Sequence, residues 1–293
     1  MITYKHGNLL EDSAEALVNT VNTVGVMGKG IALQFKQAFP EVFQEYEKAC
    51  KRNEITIGKM HVVPIDGTAG PRYVINFPTK KHWKENSKKY YIEDGLENLV
   101  KVVHDLGLSS IALPPLGCRN GGLEWTQVKT LIEKAFEGTN VNVHVYEPMG
   151  SPAPGKMKVR TKKPEMTEAR ALLLASINNY KGPGYKLTVL EIQKIAYFLQ
   201  EAGEQLRLNF KKYKYGPYAE NLNHVLQRLE GHFIRGYGDR SRQSDIQLIN
   251  SAGEKAYEFL ETKAETVERL NRVNNIMNGF ETPYGLELLA TVH

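Results

Sequence analysis

Along the first 150 residues, short runs of β-branched and apolar residues alternate with longer stretches in which apolar side chains recur every three or four positions. Strand-like runs occupy Met1 to Lys5, Ala16 to Asn19, His61 to Val63, Tyr73 to Asn76, Ser110 to Pro114 and Val141 to Tyr146; helical spacing marks Ile31 to Phe39, Tyr91 to Leu106 and Trp125 to Phe136. Such alternation predicts an α/β domain, a largely parallel or mixed sheet with flanking helices, and places ligand loops at strand ends. Beyond residue 164 the pattern turns helical, over Glu168 to Asn179, Thr188 to Ala202, Ala219 to Leu229 and Gly253 to Met277. This predicts a mainly α-helical second domain, with Gly216-Pro217 forcing a turn before the helix near Ala219. No internal repeat is evident.

Between the two patterns lies Ser151-Pro-Ala-Pro-Gly-Lys156-Met-Lys158-Val-Arg160-Thr-Lys162-Lys163, rich in Pro, Gly and Lys. The expected organisation is therefore 1–150, a linker 151–163, and 164–293. The chain stops at His293 inside an apolar segment, Leu286 to Val292, so a natural continuation is expected.

A length of 293 residues suits two domains that each bury a core. No apolar run approaches the roughly 18 to 20 residues that span a bilayer, and no export signal opens the chain, so no membrane partner is expected and the cytoplasm is the default. The net charge of +5 changes the picture only locally: residues 1–150 and 164–293 are each balanced, and the excess sits in the linker. Contact with nucleic acid should then depend on local patches rather than on a basic domain. Two distant cysteines, Cys50 and Cys118, make no disulfide framework, and the 8 histidines show no metal-ligand spacing; no metal and no cofactor are expected. There is no G-x-S-x-G elbow, and Cys118 has no identifiable base partner, which leaves a small loop residue as its plainer reading.

Two glycine-rich loops remain. The first runs from Asn19 through Asn22 and Gly25 to Met27-Gly28-Lys29-Gly30, between a strand and a helix; the second is Gly117-Cys118-Arg119-Asn120-Gly121-Gly122, again between strand and helix. Backbone amides unobstructed by Cβ atoms at a helix start suit an anion, and two such loops at strand ends can clamp a diphosphate from opposite sides. The first is no Walker motif, because Gly30 follows Lys29 where a Ser or Thr would be needed.

On these residues the first half of the chain resembles the macrodomains, which bind ADP-ribose. Gly7-Asn8-Leu9-Leu10 with Ala16 to Asn19 matches the family's first strand and adenine-side turn, with Asn8 where an Asp is usual; an Asn oxygen can accept the same hydrogen bond. Met27 to Lys36 and Pro115 to Trp125 look like the branch that includes the terminal ADP-ribose protein glycohydrolase and antitoxins acting on ADP-ribosylated DNA, and Asn76-Phe-Pro-Thr79-Lys80-Lys81-His82-Trp83 resembles the latter. The resemblance implies Asn8 and Leu9 near adenine; Asn22, Gly28, Lys29 and Gly30 on the distal ribose and phosphates; and Gly117, Cys118, Arg119, Asn120, Gly121 and Gly122 across the diphosphate. It further implies Lys80 as the catalytic residue and ADP-ribose on thymine of single-stranded DNA as substrate. A catalytic Asp of the glycohydrolase is replaced by Gly121, with Glu124 as the carboxylate left in that loop.

The chemistry fits a lysine and leaves its role open. Breaking a glycosidic bond puts positive charge on the sugar and negative charge on the departing base; an ammonium stabilises or protonates that base, whereas a free amine attacks the anomeric carbon. Lys80, Lys81, Lys84, Lys88 and Lys89 also read as an ordinary solvated stretch, while Lys81, His82 and Trp83 suit phosphate contact and base stacking. The same pocket motifs serve a non-catalytic ADP-ribose reader or a hydrolase of protein glutamate and aspartate esters.

Glu191 to Gln200 and Tyr213 to Ala219 resemble the Panacea-like helical domain of antitoxins. That resemblance implies that the second domain binds a DarT-like toxin, with Tyr213, Tyr215 and Tyr218 as the contact candidates; a protein that only sequesters such a toxin is the corresponding non-enzymatic alternative.

Overall fold

The computed structural model describes residues 1–66, 70–148, 157–180, 185, 187–237, 245–249 and 251–293. The chain divides into two compact units, Met1–Thr161 and Lys162–His293.

Unit 1 holds β1 (Ile2–Lys5), a 3-10 turn (Leu9–Glu11), β2 (Ala16–Asn22), α1 (Gly30–Ala38), α2 (Pro40–Lys51), β3 (His61–Pro64), β4 (Tyr73–Lys80), α3 (Lys89–Asp105), β5 (Ser110–Leu113), α4 (Trp125–Ala135) and β6 (Asn142–Tyr146). The six strands form one mixed sheet in the order β1-β6-β5-β2-β4-β3, parallel except where β3 runs against β4. Alternate residues of β2 and β4 enter opposite cores. Val18, Ile75 and Phe77 join Ile92, Leu96, Val128 and Ile132 of α3 and α4, whereas Leu17 and Val74 join Phe35, Ala38 and Val42 of α1 and α2. A sheet covered on both faces needs continuous apolar runs, as β2 and β4 provide.

Polar residues interrupt those runs at one level. Asn19, Asn76 and His61 are register partners on β2, β4 and β3. The Asn19 carboxamide donates to Asn76 Oδ1 at 3.0 Å, and Asn76 Nδ2 lies 3.2 Å from His61 Nδ1. Both asparagines are wholly buried. Beyond this rung β4 continues to Lys80, past the end of its pairing with β3, so Pro78 falls where one side of the strand has no β3 partner.

The sequence reading ended β4 at Asn76 and passed over α2, which carries Pro40 at its first turn and buries Val42, Tyr46 and Ala49 at helical spacing. Of the expected linker, residues 151–156 lie outside the described residues. Residues 157–161 belong to unit 1, where Arg160 N donates to Gln37 O at 2.8 Å and Lys158 Nζ to Leu10 O at 3.4 Å.

Unit 2 contains α5 (Glu168–Tyr180), α6 (Val189–Glu201), β7 (Phe210–Tyr213), β8 (Gly216–Ala219), α7 (Leu222–Leu229), β9 (Ile234–Arg235), β10 (Gln247–Leu248), α8 (Ala252–Leu260), α9 (Ala264–Met277) and α10 (Pro283–Val292). It is mostly helical around one apolar cluster, and Thr188 and Glu191 close α6 with a reciprocal capping box. Two expectations change here. Gly216 to Ala219 is a strand paired antiparallel with β7 rather than a lead into α7, because the Gln193 side chain engages both Ala219 N and O. The expected long helix Gly253 to Met277 is two helices, α8 and α9, broken between Leu260 and Ala264. No helix among the described residues is long and apolar enough to cross a membrane.

The turn after β1 is held by a buried carboxylate. Asp12 accepts from Lys5 Nζ at 2.9 Å, Tyr146 OH at 2.8 Å and Ala14 N at 2.8 Å, and lies 2.7 Å from His144 Nδ1. Burial alone would raise its pKa, but these partners together hold it down at about 2. A folded pKa below the unfolded one stabilises above about pH 4 and fades as pH falls toward 2, here by about 2 kcal/mol. Both tryptophans, Trp83 and Trp125, lie in unit 1, so their fluorescence reports its unfolding. Asp12→Asn is expected to lower unit 1 stability at pH 7, with the gap to wild type closing between pH 4 and 2; a gap constant over that range would show that the carboxylate charge is not what is lost.

Candidate functional site

Both glycine-rich loops leave the C-terminal ends of parallel strands, where an open α/β sheet presents its ligands. Asn22, the last residue of β2, stands opposite Lys80, the last of β4, across a local register irregularity. Thr23 N and Oγ1 both donate to Lys81 O, at 3.2 and 2.8 Å, and fasten the first loop to the end of β4.

The Asn22 carboxamide is used inside its own loop. Its Nδ2 donates to Val26 O at 2.6 Å, and its Oδ1 accepts from Val24 N at 3.0 Å and Val26 N at 3.3 Å. Tyr46 OH of α2 donates to Asn22 O at 2.6 Å from below. Met27 and Gly28 are buried, while Lys29 and Gly30 are half-buried at the start of α1. Gly30 has φ +56°, and a Cβ there would stand 3.1 Å from Asn120 Nδ2. The two loops thus touch at Gly30 and Asn120.

The second loop folds back on itself through Leu123 N to Gly117 O at 3.1 Å and Gly121 N to Cys118 O at 3.1 Å. Arg119 adopts a left-handed backbone (φ 51°), and its guanidinium donates to Pro148 O. Ser87, just ahead of α3, donates its N–H to Gly121 O at 2.8 Å. A Cβ on Gly121 would meet Ser87 Oγ at 2.5 Å, closer than real side-chain carbons come. Ser87 therefore packs closely against the Gly121 backbone, and a side chain at position 121 would require its hydroxyl to turn away. Glu124 is exposed at the start of α4, and its charge acts on the Cys118 thiol.

Lys80 Nζ donates to Asn120 O at 2.7 Å, which sets the lysine where the two loops meet. Burial, and then the positive charge of Lys29, push its pKa below the usual lysine range. Burial, followed by the Glu124 charge, pushes the Cys118 thiol up to about 11, so it is protonated at neutral pH and a poor nucleophile.

On the adenine-side turn, Asn8 Oδ1 accepts from Leu10 N at 3.1 Å, so one acceptor position of that oxygen is already engaged in capping the turn. Leu9 is buried. After Lys80 the chain turns outward: Lys81 and Trp83 are exposed and His82 is half-buried, with the His82 and Trp83 ring centroids 5.3 Å apart and Lys84 Nζ 4.9 Å above the Trp83 ring. In unit 2, Tyr213 is 66% exposed with its ring 5.5 Å from that of Tyr218; Tyr218 OH accepts from Asn223 Nδ2, and Tyr215 is half-buried. Among the described residues no group of three or more His, Cys, Asp or Glu side chains is arranged to hold a metal. Sequence reasoning missed Ser87 and Tyr46, which shape the loops from other elements and carry no motif of their own.

A Macro domain model matches residues 18–132. The DNA ADP-ribosyl glycohydrolase of Thermus aquaticus is 52% identical over 100% of this chain and 82% of its own length. The chain belongs to the DNA ADP-ribosyl glycohydrolase family. The solved macrodomain of Mycobacterium tuberculosis DarG is 56% identical and superposes with a TM-score of 0.50, covering 50% of this chain and 98% of that one. A Thermosipho africanus protein described as a DNA ADP-ribosyl transferase-DNA ADP-ribosyl glycohydrolase fusion is 34% identical over 49% of this chain and 41% of its own. The N-terminal half is accordingly a macrodomain, and the remainder is mostly helical.

The contact between Ser87 and Gly121 yields a direct test. Gly121→Ala is expected to cost unit 1 roughly 1 to 3 kcal/mol through overpacking, and to speed amide hydrogen exchange at Ser87 and Leu123, whose N–H groups bond within this loop. Unchanged exchange at both would mean that the loop absorbs the methyl group.

Proposed function

We propose that this protein removes ADP-ribose from thymine bases of single-stranded DNA, cleaving the glycosidic bond with Lys80, and that its helical unit binds the toxin that installs the modification. The observation that carries the reading is Lys80 Nζ donating to Asn120 O at the junction of two glycine-rich loops, in a chain 52% identical along its whole length to a DNA ADP-ribosyl glycohydrolase.

In this reading the backbone of Gly28 to Gly30 and of Gly117 to Gly122 cradles the diphosphate from two sides, with no Cβ between amides and phosphate oxygens at the glycines. Asn8 and Leu9 border the adenine. The anomeric carbon of the distal ribose comes to Lys80. Beyond the reacting base, Lys81, His82 and Trp83 continue along the strand, the aromatic rings stacking on bases and the lysine meeting phosphate. Because each domain is charge-balanced, this exposed segment supplies the local attraction that overall charge does not. A relative that joins transferase and glycohydrolase in one chain supports pairing with a DarT-like enzyme. Exposed Tyr213, with Tyr215 and Tyr218 beside it, is the proposed contact. DNA as substrate puts the work in the cytoplasm.

The deciding experiment measures ADP-ribose release from a modified thymidine oligonucleotide, alongside calorimetric binding of free ADP-ribose. Wild type should release it, whereas Lys80→Ala should bind ADP-ribose comparably and release it roughly 100-fold more slowly or worse, the range expected for loss of an acid–base or nucleophilic group. Binding without release by wild type would make the protein a reader; equal release by both would remove Lys80 from the chemistry.

A further inference from the structure

The function proposed above leaves one charged feature of unit 2 unused. Between Glu204 and Glu220 the chain carries Arg207, Lys211, Lys212 and Lys214 and no acidic residue, although residues 164–293 as a whole are balanced. All four cations are exposed, and among the described residues none has a carboxylate partner. Glu204 is itself taken by Arg269.

These cations stand on a braced hairpin. The Gln193 side chain of α6 bonds both N and O of Ala219, Lys194 Nζ donates to Pro217 O at 2.7 Å, and the Phe210 ring packs against that of Tyr197 at 5.3 Å. Asn221 fixes the approach to β7: its Nδ2 donates to Arg207 O at 2.9 Å and its Oδ1 accepts from Asn209 N at 3.0 Å, with Arg207 in a left-handed backbone (φ 55°). Side chains alternate along a strand, so with Phe210 turned to α6, Lys211 and Tyr213 face the other way. Tyr218 is the register partner of Lys211 and shares that side. The Tyr213 ring, 66% exposed, lies 5.5 Å from the Tyr218 ring, whose hydroxyl accepts from Asn223 Nδ2.

We propose that the β7–β8 hairpin binds single-stranded nucleic acid, with Arg207, Lys211, Lys212 and Lys214 on phosphates and a base stacked on Tyr213. Every base has a π-face that a single strand leaves open, and a fixed ring beside a row of cations holds such a strand without reading its sequence. The centres of protein contacts are poor in lysine. The cations beside Tyr213 therefore suit phosphates, and the toxin contact proposed for the ring does not account for them. Because the hairpin and the macrodomain share one chain, a strand held here raises the local concentration of its modified bases about unit 1. That last consequence rests on the function proposed above; the strand contact does not.

The test uses unmodified DNA and the full chain, so it needs no activity. Fluorescence anisotropy follows binding of a fluorescein-labelled oligo-dT of roughly 15 nucleotides, and of a blunt duplex of equal length, at salt concentrations from roughly 50 to 200 mM. Tyr213→Ala should weaken oligo-dT binding at least about fivefold, the loss of one stacked base, while Tyr213→Phe keeps the ring and should keep the affinity. Replacing Lys211, Lys212 and Lys214 together by Ala should reduce the salt slope of log K by about 2, as three lost phosphate contacts at ~0.7 each predict. The duplex should respond to the lysines and not to Tyr213. Wild-type affinity and slope in both variants would overturn the proposal and leave the hairpin to the protein contact alone. A loss in the lysine variant with none in Tyr213→Ala would overturn it as well, by reducing the patch to a general attraction for polyanions. If these effects hold in a wild type that releases no ADP-ribose from modified DNA, the reaction proposed above is refuted and the strand contact stands.

Discussion

Asn19, Asn76 and His61 form a polar rung through three adjacent strands of an otherwise apolar sheet, and the geometry of the site depends on it. Apolar residues of similar size tolerate small displacements along a strand, whereas a buried carboxamide that loses its partner costs about 1 to 3 kcal/mol. A slip of one residue would also turn every side chain of β4 to the opposite face. The rung therefore fixes β4 against β2 as far as Val21 and Pro78, and the one-residue register shift that follows brings Lys80 rather than Thr79 opposite Asn22. From there Asn22 and Tyr46 shape the first loop and Thr23 ties it to Lys81. The position of the lysine is thus decided from the interior of the sheet outward, by the rung and the register shift above it.

The sequence disclosed the parts of this arrangement that carry local signals. Strand and helix periodicity located the sheet and most helices, the glycines located both loops, and charge counting showed that neither domain is basic. The signals failed where a tertiary partner overrides the local pattern. Gly216-Pro217 reads as a turn, yet Gln193 engages Ala219 and draws that segment into a hairpin. The long apolar periodicity from Gly253 to Met277 gives no sign of the break after Leu260. Pro40 directly after one helix reads as a terminator, although at the first turn of the next it is an initiator.

Site residues divided in the same way. Lys80 and the glycines announce themselves by type and motif; Ser87 is one serine among many, and its importance comes from lying against Gly121, 34 positions later in the chain. Asn22 matches the family's ligand-side position, yet its carboxamide is hydrogen-bonded within the loop, so its contribution to the site is the shape of the backbone around it. A sequence alone cannot separate a residue that touches a ligand from one that holds the touching residue in place.

The surroundings of Lys80 follow from packing: its Nζ donates to Asn120 O, in a loop that Ser87 holds through Gly121 O. With Ser87 Oγ 2.5 Å from where a Cβ on Gly121 would stand, a side chain at position 121 would require the serine hydroxyl to turn away, so this loop is built around a close approach. In the function proposed above, the two glycine-rich loops favour the diphosphate in the ground state, and Lys80 favours the negative charge that builds on the departing base as the bond breaks.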